Sequence, residues 1–90
     1  MAIIERFEDL DCWKSARELV NLVYELSRKG ELNKDFETKA QIKKAALSIM
    51  NNIAEGFGRY HKKDFVRFLD FAQSSAAEVK SMIYICLDQK

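Results

Sequence analysis

Phe65-Val66-Arg67-Phe68-Leu69-Asp70-Phe71-Ala72-Gln73-Ser74-Ser75-Ala76-Ala77-Glu78-Val79-Lys80-Ser81-Met82-Ile83-Tyr84-Ile85-Cys86 is the stretch that decides the fold. Phe65, Leu69, Ala72, Ala76, Val79, Ile83 and Cys86 step by 4, 3, 4, 3, 4 and 3 residues. A strand alternates every second residue, so this spacing predicts a helix with a heptad-like seam, as in helix bundles. Phe68, Phe71, Ser75, Met82 and Leu87 add a flanking face. The segment is read from about 62 to 90, roughly 45 Å at 1.5 Å per residue.

Two further segments carry the same signal. From about 11 to 29, Trp13, Ala16, Val20 and Val23 form a stripe that Leu19, Leu22 and Leu26 widen. Asp11 is placed as its N-cap, and Gly30, after Arg28 and Lys29, as its stop. From about 37 to 57, Ile42, Ala45, Ile49 and Ile53 make an apolar face flanked by Ala46, Met50 and Phe57. Gly56 and Gly58 mark its end, with Gly58 assigned the left-handed terminal position. The stretch from 30 to 36 is polar and reads as a linker short enough to join antiparallel helices. Proline is absent and glycine numbers three, so little interrupts these helices. The fold class predicted is all-α: an up-and-down antiparallel helical bundle, one domain over 1–90.

Composition bounds the function. Ninety residues give a marginal core, for which oligomerisation is a common remedy. A net charge of +1 does not suggest a general polyanion binder. No apolar run approaches the roughly 18 residues of a bilayer span. The opening Met1-Ala2-Ile3-Ile4-Glu5-Arg6 breaks its apolar stretch with charge, so no signal peptide is read there and a cytoplasmic location is expected. Cys12 and Cys86 lie far apart in no CxxC context and read as free, structural thiols.

Three stretches resemble a family. Gln41-Ile42-Lys43-Lys44-Ala45-Ala46-Leu47-Ser48-Ile49 leads into Asn52-Ile53-Ala54-Glu55-Gly56-Phe57-Gly58-Arg59. Phe7-Glu8-Asp9-Leu10 with Trp13 and Ala16 opens the chain, and Lys63-Asp64-Phe65, Phe68-Leu69, Ala72, Ser75 and Glu78 follow. Together they resemble the bacterial four-helix-bundle proteins named after 23S ribosomal RNA intervening sequences. The resemblance covers nearly the whole chain. It implies an up-and-down four-helix bundle, ring-like homopentamers and no assigned enzymatic activity. It also implies kinship with accessory proteins of diversity-generating retroelements, which bind nucleic acid and a reverse transcriptase. Family chains carry a fourth helix after a turn, whereas this sequence stops in or just after its third. Truncation, or an assembly that covers the exposed face, would account for that.

No catalytic constellation is found, and neither a cofactor nor a small-molecule substrate is identified. His61, the single histidine, lacks the further ligands of a metal site and the partners of a triad. Gly56-Phe57-Gly58 is no phosphate loop, because His61 stands where GxGxxG needs its last glycine. Asn51, Asn52 and Glu55 could bind a ligand in a bundle core, but a structural role is the commoner use of such residues. The sharpest candidate for RNA or DNA contact is the basic turn with Arg59, Lys62, Lys63 and Arg67. Between Phe36 and Leu69 seven basic residues face three acidic ones. The acids Glu5, Glu8, Asp9 and Asp11 are expected to return to that end and neutralise it. Phe68, Phe71, Met82 and Leu87 are assigned to a homo-oligomer interface. The expectation is a non-enzymatic, self-associating helical protein, with nucleic-acid binding as the alternative.

Overall fold

A computed structural model describes residues 3–89. Met1 and Ala2 of the signal-peptide reading, and Lys90 at the predicted end of the last helix, lie outside the described residues. Every regular element among the described residues is helical: α1 (Asp11–Leu26), α2 (Gly30–Lys34), α3 (Phe36–Phe57) and α4 (Lys62–Asp88), with a 3-10 turn at Phe7–Asp9. The three long helices match the predicted segments. α2 is the difference: a single helical turn inside the stretch read as a linker.

Local chemistry sets the boundaries. α1 ends at Leu26, three residues before its predicted limit. Ser27, 1% exposed, donates its hydroxyl to the Val23 carbonyl at 2.7 Å, satisfying one of the helix's last acceptors. Gly30 then turns the chain at φ +56, the one positive φ among the described residues. Asp35 caps α3 by accepting a hydrogen bond at 3.0 Å from the Thr38 N–H. Two terminal assignments need correction. Asp11 is the first helical residue and Leu10 holds the cap position, with no side-chain cap. Gly58 closes α3 in the right-handed region at φ −77, because the carbonyls of Ala54 and Glu55 take its N–H without a left-handed residue.

α3 is the central layer. α1 and α4 both pack on it and scarcely approach each other. Ala16, Val20 and Val23 of α1 meet Ile42, Ala45, Ala46, Ile49 and Ile53 of α3, and Ala72 and Val79 of α4 complete the cluster. Ala46 is fully buried, and these alanines let the axes come close.

α4 is rotated relative to its predicted seam. Phe65, Ala72, Val79 and Cys86 are common to two 3-4 repeats, one through Leu69, Ala76 and Ile83, the other through Phe68, Ser75 and Met82. The second repeat faces α3. Phe68 is buried, and Ser75 donates to the Ser48 hydroxyl at 2.8 Å. Ala76 is exposed and Ile83 is 36% exposed. Gly56 decides the matter: a Cβ there would stand 2.6 Å from the Phe68 Cβ, so its absence admits Phe68 against α3.

Candidate interaction surfaces

Two surfaces stand out, at opposite ends of the bundle. The first is an apolar groove of about 710 Å³. It opens between α1 and α4, which scarcely approach each other. Leu19, Leu22, Val23 and Leu26 form one wall, Ile83, Cys86 and Leu87 the other, Ile42 the floor, and Lys29 to Leu32 one end. Leu22, Leu26, Ile83 and Leu87 remain 50%, 47%, 36% and 56% exposed. Full burial of such a side chain contributes ~1.5–3 kcal/mol, so each leaves about 1 kcal/mol unrealised in the isolated chain. The charges at the rim are already paired: Lys29 with Glu25 at 3.5 Å and Lys34 with Glu31 at 3.8 Å.

The predicted interface residues divide. Phe71 (48% exposed) and Leu87 lie on the surface. Phe68 is buried and Met82 packs against the core, so these two assignments are corrected. The rotation of α4 turns them toward α3.

The second surface is the turn between α3 and α4. Arg59 pairs with Glu55 at 3.0 Å, and Arg67 with Asp64 at 3.4 Å. Both guanidiniums also lie over the Phe68 ring, at 4.8 and 5.7 Å from its centroid, which fixes them in place. Lys62 and Lys63 have no ion-pair partner among the described residues. Tyr60 is 95% exposed, its ring edge-on to that of His61 at 5.2 Å. Arg59 lies in the turn itself, and Lys62, Lys63 and Arg67 stand in the first turns of α4 that follow it. Among the described residues no ion pair joins Glu5, Glu8, Asp9 or Asp11 to that turn. Glu8 and Asp9 pair with Arg6, two and three residues before them in the chain.

The remaining sequence candidates resolve into structural roles. Asn52 donates to the Ser48 carbonyl and hydroxyl at 2.8 and 3.0 Å, joining the Ser48–Ser75 contact between α3 and α4. Glu55 holds Arg59, and Asn51 is exposed. Among the described residues, no three His, Cys, Asp or Glu side chains converge on a metal-sized site. Cys12 and Cys86 are free thiols, and burial, with the Asp35 carboxylate second, pushes the Cys86 thiol above its ordinary pKa, away from a reactive thiolate. No helix among the described residues is long and apolar enough to cross a membrane.

The groove itself escaped sequence reading. Its signal was present as the leucines Leu19, Leu22 and Leu26, which widen the α1 stripe beyond what one partner helix covers.

The family model described as 23S rRNA-intervening sequence protein matches residues 8–90. No curated protein and no solved structure matches the chain. The chain belongs to the 23S rRNA-intervening sequence protein family.

Proposed function

We propose that this member of the 23S rRNA-intervening sequence protein family is a non-enzymatic helical subunit that associates with copies of itself in a bacterial cytoplasm. The observation that carries this reading is the α1/α4 groove, with Leu22, Leu26, Ile83 and Leu87 each 36% or more exposed along it. A continuous apolar strip of this kind is uncommon on a monomer and normally marks an interface. The homopentamer implied by the family resemblance is one form the assembly takes in this reading. The reading assigns the chain no cofactor, no small-molecule substrate and no membrane. Thermal melts at increasing protein concentration test it. Association through the native state raises Tm with concentration, whereas an unchanging Tm over a hundredfold range argues against it.

A second reading is supported by the basic turn. In it, Arg59, Lys62, Lys63 and Arg67 contact phosphates of RNA or DNA while Tyr60 offers a ring for stacking. Lys62 and Lys63, free of ion pairs among the described residues, favour it. Nucleic-acid retention at low salt that falls steeply as salt rises is its expected signature. Retention that is absent at low salt removes it.

A further inference from the structure

We infer that the basic turn of one copy of this chain docks on the acidic segment leading into α1 of the next, with Lys62 and Lys63 facing the second copy's Glu5 and Asp11. This rests on the self-association proposed above and adds the charged contact that orients it.

Charge is sorted unevenly along the chain. Residues 5–11 hold four acids and one base, and residues 59–67 hold four bases and one acid. Part of each set is paired locally: Arg6 with Glu8 and Asp9, Arg59 with Glu55, and Arg67 with Asp64. Two acids and two bases are left over. Glu5 and Asp11, like Lys62 and Lys63, are exposed and enter no ion pair among the described residues.

The fold puts these leftover charges at one end of the bundle but keeps them apart. α3 and α4 run antiparallel, with Gln41 bonded to Glu78 at 2.9 Å toward one end and Gly56 against Phe68 toward the other. α1 also runs against α3, and the Lys43 ammonium lies 4.6 Å from the centroid of the Tyr24 ring. Asp11 and Gly56 each stand thirteen residues from that contact, toward the same end, about 20 Å along. α3 lies between the two patches, since neither α1 nor the 3-10 turn before it packs on α4. Complementary patches at one height, on different flanks of α3, meet when copies stand side by side with their axes parallel. Such a contact joins two different faces and repeats from copy to copy, which is how rings close. It agrees with the ring that the family resemblance implies. A two-fold axis across the helices would carry the patches to opposite ends.

The same layout favours a protein partner over nucleic acid. A phosphate backbone laid across this end would meet Glu5 and Asp11 as well as the lysines, whereas a second copy brings the opposite charge to each patch. Exposed ion pairs add little affinity but steer encounter and fix orientation. The charges therefore set the order of the copies, and apolar burial holds them.

Charge reversal in the full chain tests this by sedimentation, with helicity checked by circular dichroism. Lys62→Glu/Lys63→Glu sets acid against acid, at a helix start that tolerates acidic residues. Glu5→Lys/Asp11→Lys sets base against base. Each pair should weaken association roughly tenfold or more. The chain carrying all four changes should assemble as the wild type does, because complementarity is restored with its signs exchanged. Salt gives a readout that survives if the fourfold variant loses its fold. Raising it from about 0.1 M to about 1 M shortens the Debye length from ~10 to ~3 Å, which should loosen the wild type and tighten Lys62→Glu/Lys63→Glu. The inference is overturned by reversed pairs that assemble like the wild type, by a folded fourfold variant no better than either pair, or by a salt response of the same direction in both proteins. Loss of nucleic-acid retention by Lys62→Glu/Lys63→Glu with assembly intact also overturns it, and gives the turn to the nucleic-acid reading. A wild type that stays a single chain of 10.5 kDa removes the self-association reading along with it.

Discussion

Gly56 of α3 and Phe68 of α4 lie so close that a Cβ on Gly56 would stand 2.6 Å from the Phe68 Cβ and 3.1 Å from the Phe65 ring. The obstructing atom is tied to the α4 backbone and cannot rotate away. Gly56→Ala should therefore destabilise the protein by ~1–3 kcal/mol through overpacking, although alanine is the better helix former by about 1 kcal/mol. Gly58→Ala supplies the contrast. Gly58 has φ −77 and nothing closer than 3.5 Å to an added Cβ, so that change should be neutral or stabilise by up to ~1 kcal/mol. Urea denaturation of both variants checks the pair. Equal effects would contradict the close approach of the two helices at Gly56.

Ile53, 4% exposed, sits in the core where α1 and α4 both meet α3, whereas Leu69 is only partly buried beside it. Ile53→Ala should cost roughly 2–5 kcal/mol. Leu69→Ala should cost less, since that side chain is only partly buried. A larger loss of stability at Leu69 would return α4 to the orientation that its apolar seam predicts.

Asp35 joins α2 to α3, and the Thr38 side chain, followed by the Thr38 backbone N–H, holds its carboxyl below the ordinary 3.8. A depressed folded-state pKa means that the ionised form stabilises the fold. That contribution is complete above the unfolded value and is lost as pH falls through the folded one. Asp35→Asn should lower Tm near neutral pH, and the difference from wild type should shrink as pH drops from about 4 downward. A Tm gap that stays constant across that range would show that the charge does not matter.

In the basic turn, Arg59 and Arg67 stack on Phe68, so their removal disturbs packing as well as charge. Lys62→Ala/Lys63→Ala is the cleaner probe. If nucleic acid binds here, the double variant should bind more weakly. Its salt slope should be shallower by about 0.7–0.9 for each phosphate that is no longer neutralised. Unaltered affinity and slope would eliminate this turn as the binding site.

The fold was largely legible because the chain has no proline and its apolar residues keep helical spacing over three long segments. The face of α4 was not. Phe65, Ala72, Val79 and Cys86 fit both of its repeats, and the apolar Leu69, Ala76 and Ile83 outweigh a repeat interrupted by the polar Ser75. The choice depends on a partner helix, through the space left at Gly56 and the hydroxyl of Ser48. A glycine inside a helical pattern was the available clue, since it often signals close backbone approach. The basic turn was legible because its residues are neighbours in sequence. Its stacking on Phe68 was hidden by the same rotation of α4. The groove was visible only as surplus leucines, because two helices that fail to touch leave no mark on either sequence.

Self-association is the central claim, and the mass of the wild-type protein in solution tests it most directly. Light scattering on the purified chain at micromolar concentration should give a discrete multiple of 10.5 kDa, with five chains expected from the resemblance. A stable particle of 10.5 kDa that persists as concentration rises would contradict it.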